Sequence, residues 1–259
     1  MPNFVPVSRE SHGGKRLLRP LSYAFASPAI LFDILLPEIT RAAVEFPLVF
    51  VMRDAGPQLY ALMSMYSNKN LFVTPEGRWI ARYMPATLRA YPFGIAKPAG
   101  APPVLGIDEE CPQLSASAGD PLFEDGRPAP LLQSAVELLK RIETETPAMI
   151  AACQALQERE LLIPWVLEAK PGETRRPVDG LLRIDEAKFE SLDEESFLKL
   201  RAVGAIRLAH LHLASLHNLH RMNELDMAHQ LGAKYAQAKA AEKPPALIQA
   251  MIEELELKF

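Results

Sequence analysis

The chain has 259 residues, of which 49% are hydrophobic and 23% charged, and its formal net charge is −4. This is the balance of an ordinary globular protein that is long enough to bury a substantial core. A negative net charge disfavours nucleic acid or an anionic membrane surface as the main binding partner. The two cysteines, Cys111 and Cys153, have no metal-ligand spacing and favour a reducing compartment.

No segment predicts a signal peptide or a membrane span. The N-terminal residues contain no uninterrupted apolar stretch of the kind that a signal peptide needs. The longest apolar runs lie within residues 30–36 and 48–52, far below the roughly 20 residues that cross a bilayer. We therefore expect a cytoplasmic protein.

The first part of the chain predicts one early helix followed by antiparallel strands. Residues 28–44 predict a helix with a kink at Pro37. Residues 48–52 and 59–65 have the apolar, β-branched character of strands. Residues 71–83 predict a hairpin, because a proline and a glycine stand where a tight turn needs them. Residues 1–96 are thus predicted to be β-rich.

The rest of the chain predicts helices. Residues 97–130 contain seven prolines and form the predicted connection to a mainly helical region, 131–259, within one compact unit. Thr146 followed by Pro147 predicts the start of a second helix. Residues 161–168 and 180–184 predict a strand pair. The predicted fold class is therefore α+β: a β-rich N-terminal half with antiparallel hairpins, and a helical C-terminal half with one further strand pair.

Aromatic rings and positive charge concentrate in residues 45–96. This stretch contains nine of the nineteen aromatic residues, and Glu76 is the only acid between residues 55 and 107. On a strand over residues 78–83, rings and arginines would occupy opposite faces. Such a surface could bind an anion, a sugar or an extended peptide, although aromatic residues more often pack in a core. The predicted ligand-binding residues are Trp79, Arg82, Tyr83, Arg89 and Tyr91.

Five of the six histidines lie within residues 210–229. On a predicted helix over residues 205–221, His212 falls in the middle of an apolar face, which indicates a buried, hydrogen-bonded histidine. His217, His220 and Glu224 would gather around a divalent metal if that helix continued. Solvent-exposed histidines are the commoner outcome of such spacing. We predict no metal site and no cofactor, and keep a metal-dependent enzyme as the alternative function.

Other signals favour a binding protein over an enzyme. The chain contains no glycine-rich phosphate loop and no GxSxG nucleophile motif. The C-terminal residues instead place apolar side chains on one helical stripe, which leaves an oligomer formed through this helix open. The stripe consists of Ile248, Ile252, Leu255 and Phe259.

Several blocks of sequence follow one another in a recognisable order. They are SYAFA, VEFPLVF, NLFVTPEGRWIARYMPATLRAYPFGIA, LLIPWVLE and GLLRIDEAKFESLDEESFLKLRAVGAIRLAHLHLASLHNLHRM. These blocks resemble the bacterial SapC family from about residue 4 to residue 222. The family takes its name from a gene in a surface-layer protein locus, and the resemblance implies no accepted catalytic residues.

The resemblance implies an accessory protein encoded near outer-membrane receptors and cupin-type oxygenases. Such a setting points to the export or modification of surface proteins, or to nutrient uptake. We therefore predict a soluble accessory or binding protein of the SapC-like family. Its partner would be a surface-exported or outer-membrane protein or peptide.

Overall fold

The computed structural model describes residues 2–19, 21–66, 69–98, 100, 102–167 and 176–241, with the backbone alone at residues 233 and 235–241. By its internal contacts the chain divides into two units, Met1–Leu219 and His220–Phe259. Strands lie mostly in the N-terminal half and helices dominate the C-terminal half, which confirms the predicted α+β class. The stripe from Ile248 to Phe259 lies outside the described residues.

The described residues form strands and helices with the following bounds. The strands are β1 (Phe4–Pro6), β2 (Arg16–Leu17), β3 (Leu31–Asp33), β4 (Leu48–Arg53), β5 (Gly56–Leu62), β6 (Phe93–Ala96), β7 (Val104–Asp108), β8 (Leu114–Ser115), β9 (Asp120–Pro121), β10 (Phe123–Glu124), β11 (Arg127–Pro128), β12 (Leu162–Trp165) and β13 (Leu181–Ile184). The helices are α1 (Arg9–His12), α2 (Ile39–Glu45), α3 (Ala86–Arg89), α4 (Pro130–Glu158), α5 (Glu186–Glu190), α6 (Glu194–Ala202), α7 (Ala205–Ser215) and α8 (Asn218–Ala241). Two 3₁₀ turns cover Ala24–Ala26 and Leu36–Glu38.

The largest sheet joins strands from both halves of the chain. Its antiparallel order is β12-β13-β4-β5-β3, with β4 paired to β5 along its whole length and to β13 on the other side. The predicted pairing of residues 161–168 with 180–184 is confirmed by β12 and β13, where Leu162 lies opposite Ile184. Because β13 pairs with β4, the predicted β-rich and helical regions share one sheet.

The proline-rich residues 97–130 pack against the first half of the chain. Strand β7 lies between β1 and β6 in a second antiparallel sheet. Ile107 and Leu122 are fully buried in a cluster with Leu17 and Phe93. Apolar side chains of this region therefore pack in a core cluster together with residues of the first half of the chain.

The predicted helix over residues 28–44 is wrong in its first half. Residues Leu31–Asp33 form β3, an edge strand whose Leu31 lies opposite Leu62 of β5. A 3₁₀ turn that contains Pro37 follows, and only then does α2 begin. Residues 31–33 pair with the edge of β5 instead of forming a helix, because tertiary pairing stabilises them more than their weak helical propensity does.

The predicted hairpin over residues 71–83 forms only next to its turn. The Gly77 amide donates to the Thr74 carbonyl over 2.9 Å. Val73 and Trp79 form an isolated bridge, in which the Thr74 amide donates to the Arg78 carbonyl over 2.9 Å and the Ile80 amide to the Phe72 carbonyl over 3.0 Å. The Trp79 indole N–H donates to the Tyr83 carbonyl over 3.0 Å, so the chain curls. Rings and arginines are therefore not sorted onto the two faces of a strand.

Helix α4 runs through the position where a helix start was predicted. Pro147 has no amide hydrogen, so it cannot bond to the carbonyl of Glu143, and yet the helix continues. Just before the proline, the hydroxyls of Thr144 and Thr146 donate to the carbonyls of Lys140 and Ile142, over 2.9 and 2.7 Å. Helix α4 thus includes residues on both sides of Pro147.

Helix α7 ends at Ser215 rather than Arg221, and its side chains bond to the backbone of the main sheet. The Ile184 amide donates to Nε2 of His212 over 3.2 Å, and the Leu48 amide donates to the Ser215 hydroxyl over 2.8 Å. The His212 ring is fully buried, 5.0 Å from that of Phe50. The interpretation of His212 as a hydrogen-bonded core histidine is confirmed.

We predict that His212 makes stability depend on pH. Burial lowers the pKa of His212 from 6.5 to about 4, so protonation favours the unfolded chain. The stabilisation from the neutral His212 ring is fully present above pH 6.5. As the pH falls from 6.5 towards 4, the free energy of unfolding decreases by up to about 3 kcal/mol. Urea unfolding of His212→Phe should show a shallower loss of unfolding free energy over this range than the wild type.

The matched control for this experiment is His210→Phe. His210 is exposed on the same helix, so its removal should leave the pH dependence of the wild type unchanged. Equal slopes in wild type and His212→Phe would show that the His212 ring is not the titrating group.

Candidate functional site

A cavity of about 220 Å³ lies between α2, α3 and one face of α4. Three arginines and one carboxylate line this cavity. Its local charge is therefore positive, although the net charge of the chain is negative. We call this cavity the arginine cleft. It is lined by Leu35, Pro37, Glu38, Arg41, Tyr83, Ala86, Arg89, Leu138, Arg141 and Ile142.

Glu38 connects two walls of the arginine cleft. It ends the 3₁₀ turn directly before α2 and is buried. The amide of Ala86, the first residue of α3, donates to Oε1 over 3.4 Å, and Nη2 of Arg89 lies 3.8 Å from Oε2. Burial raises the pKa of Glu38, and these two partners oppose the rise. The carboxylate thus holds α3 and Arg89 beside α2.

Arg41 and Arg141 stand at the mouth of the arginine cleft. Arg41 follows Glu38 by three residues in α2, and Arg141 shares a face of α4 with Leu138 and Ile142. Both arginines are exposed, and within the described residues neither lies within 4.0 Å of a carboxylate. Their guanidinium groups are therefore available to an external anion.

Tyr83 contributes a ring and a hydroxyl. The guanidinium carbon of Arg89 lies 5.9 Å from the ring centroid. The hydroxyl oxygen is buried and makes no hydrogen bond of good geometry among the described residues, but it interacts with the Glu38 carboxylate and lowers the pKa of that group. Burial raises the pKa of Tyr83, and the charge of Glu38 raises it further. The phenol therefore keeps its proton, and its hydroxyl is directed to Glu38 inside the cleft wall.

The structure brings two of the five sequence-predicted ligand residues, Tyr83 and Arg89, into the arginine cleft. The other three lie elsewhere. Trp79 is half-buried, with its ring 6.0 Å from that of Phe46, and Arg82 is exposed. Tyr91 is buried and stacks on Phe25 with ring centroids 3.7 Å apart.

Three charged residues of the arginine cleft escaped the sequence analysis: Glu38, Arg41 and Arg141. Glu38 and Arg41 stand three residues apart at the start of a helix, a spacing that puts both on one face. The predicted helix over residues 28–44 already put both residues on one face, but nothing in the sequence showed that α3 and α4 would pack against that face. Arg141 has no comparable signal, because only the packing of α4 brings it to α2 and α3.

The metal-dependent alternative finds no ligand set in the part of the chain that the structure describes. There, no group of three or more His, Cys, Asp and Glu side chains is placed to hold a metal ion. His220 and Glu224 form a pair on α8, with Nδ1 3.5 Å from Oε1. His210 is exposed, and its Nδ1 lies 2.8 Å from the carbonyl oxygen of Ile206.

Comparisons with known proteins bear on the family rather than on the chemistry. Among the described residues, no helix is both long and apolar enough to cross a membrane. No curated protein and no solved structure matches the chain. The profile of the SapC family matches residues 7–222. This match covers most of the chain, which therefore belongs to the SapC family.

Proposed function

We propose that this protein is a non-enzymatic accessory protein that binds a segment of a partner protein. One anionic side chain of the partner would enter the arginine cleft. The observation that supports this most directly is the convergence of the guanidinium groups of Arg41, Arg89 and Arg141 on one cavity. Guanidinium groups bind carboxylates and phosphates through paired, charge-assisted hydrogen bonds.

The size of the arginine cleft favours a side chain over a free metabolite. Its volume of about 220 Å³ is below the roughly 300–1,000 Å³ of most small-molecule pockets. A single acidic side chain fits such a space, and the rest of the ligand would then lie on the surrounding surface.

That surrounding surface is partly apolar. Val44, three residues after Arg41, is 70% exposed, and Ile80 is 43% exposed. The two segments are close, because the Arg82 amide donates to Oε2 of Glu45 over 3.4 Å. Exposed apolar side chains beside a charged pocket are typical of protein-binding surfaces. They support a protein partner over an inorganic ion.

The buried thiol of Cys153 and the family resemblance both bear on the proposed function. Burial raises the pKa of Cys153 to about 12, which makes its thiol a poor nucleophile and weakens the case for an enzyme. The family resemblance adds that the partner would be a surface-exported or outer-membrane protein, met in the cytoplasm before export.

The proposal predicts that the full chain binds a blocked peptide Gly-Glu-Gly but not its uncharged counterpart Gly-Gln-Gly. Arginine side-chain NMR signals should shift on titration with the glutamate peptide only. The double variant Arg41→Ala, Arg141→Ala should weaken this binding at least tenfold, since hydrogen bonds to charged groups contribute about 1.5–3 kcal/mol each.

Arg127→Ala is the matched control, because Arg127 is exposed and does not line the arginine cleft. It should bind the glutamate peptide as the wild type does. Arg82→Ala tests the wider ligand surface that the sequence predicted. If the arginine cleft alone binds the glutamate side chain, this variant should bind the glutamate peptide as the wild type does. Equal binding of the two peptides by the wild type, or full binding by the double variant, would contradict the proposal.

A second prediction concerns the charge of Glu38. In the wild type, affinity for methanesulfonate, which stays ionised throughout, should rise as the pH falls from 7 towards the usual carboxyl range. The reason is that burial raises the pKa of Glu38, so the repelling carboxylate takes up its proton at a higher pH than an ordinary glutamate does. Glu38→Gln should bind at least roughly twofold more tightly at pH 7, since even exposed charge pairs contribute a few tenths of a kcal/mol and Glu38 is buried.

In Glu38→Gln the affinity should no longer depend on pH over this range, because no histidine lines the arginine cleft. Calorimetric titration at several pH values measures both effects. If the two proteins showed the same pH dependence, another group would have to be responsible.

A further inference from the structure

A second cavity of about 260 Å³ adjoins the arginine cleft. Leu35 and Ile142 line both cavities. We call the second one the apolar cavity, because most of its lining is aliphatic. Its remaining lining residues are Asp33, Ile34, Gln58, Leu59, Thr87, Thr146, Met149 and Ile150.

The two cavities follow one another along α4. The arginine cleft uses Leu138, Arg141 and Ile142, and the apolar cavity continues with residues 146, 149 and 150 on the next turns of the same face. With Ile142, which lines both cavities, counted in each set, the two sets are centred about six residues apart, or about 10 Å at 1.5 Å per residue. An extended peptide covers this distance in about two or three residues.

The wall of the apolar cavity contains one buried hydroxyl, Oγ1 of Thr87, without a hydrogen-bond partner among the described residues. Buried polar groups are nearly always hydrogen-bonded in folded proteins. The backbone of a peptide bound in this cavity would bring donors and acceptors close to Thr87.

We propose that the two cavities together recognise a two-residue pattern in the partner. An acidic side chain would lie in the arginine cleft, and an aliphatic side chain two or three residues away would lie in the apolar cavity. This inference rests on the proposed function and specifies its ligand: an extended, acidic and apolar segment. Charge complementarity assigns the acid to the arginine end, and the aliphatic lining assigns the apolar side chain to the other.

Blocked synthetic peptides test the pattern on the full chain. The probes are Glu-Gly-Leu, Glu-Gly-Gly-Leu and the same peptides in reverse order, each compared with a version that carries alanine in place of leucine. The best leucine peptide should bind about tenfold more tightly than its alanine counterpart, because the leucine side chain leaves water. NMR titration measures both affinities in the wild type, so this comparison needs no variant.

Ile150→Trp would fill the apolar cavity. Ile150 is half-buried, and tryptophan there should remove the advantage of leucine while leaving the affinity of the alanine peptides unchanged. Val136→Trp is the matched control: Val136 is equally half-buried on α4 but lines a different cavity, beside β6 and β7. The leucine advantage should persist in that control.

The outcomes distinguish this inference from the proposed function. Equal affinities for leucine and alanine peptides, with the glutamate-over-glutamine preference intact, would overturn the two-residue pattern alone. Loss of the glutamate preference would overturn both. Octanoate that bound more tightly than the best peptide would assign the paired cavities to a lipid-like anion and would also overturn the pattern.

Discussion

The arrangement around the arginine cleft depends on one buried carboxylate. Glu38 accepts a hydrogen bond from Ala86 and lies 3.8 Å from Arg89, so two segments almost 50 residues apart in sequence meet at its side chain. Burying an ionised carboxylate is costly unless it is paired and hydrogen-bonded. Here the compensation is partial, because the two contacts are long and the pKa of Glu38 remains raised. The cleft is thus held together by a charge that its arginines only partly neutralise.

The main sheet explains why distant residues meet in this cleft. Strand β13 of the helical half pairs with β4, and α7 bonds to the backbone of both strands through His212 and Ser215. These contacts hold the helical half against the β-rich half within Met1–Leu219. Helix α4 lies against β5 of this sheet, and its Arg141 faces the starts of α2 and α3.

Local patterns predicted much of the fold, but only part of the candidate site. The strand over residues 48–52 and the burial of His212 follow from short-range apolar patterns. Tyr83 and Arg89 stood out because cations and rings cluster there. Arg141 could not be found in this way, because its role comes from the packing of helices that are far apart in the sequence. Tyr91 resembles Tyr83 in the sequence but is buried by its stack on Phe25.

The continuity of α4 decides whether the two cavities can act together. A helix that began anew at Pro147, as the sequence predicted, would be free to leave the axis set by Arg141. Met149 and Ile150 would then no longer follow Ile142 on one face, and the apolar cavity would lose its alignment with the arginine cleft. In the observed helix the Thr146 hydroxyl bonds to the carbonyl of Ile142, the residue that lines both cavities. Pro147 therefore lies within the stretch of α4 that lines the apolar cavity, and the unbroken helix around it sets the spacing of the two cavities.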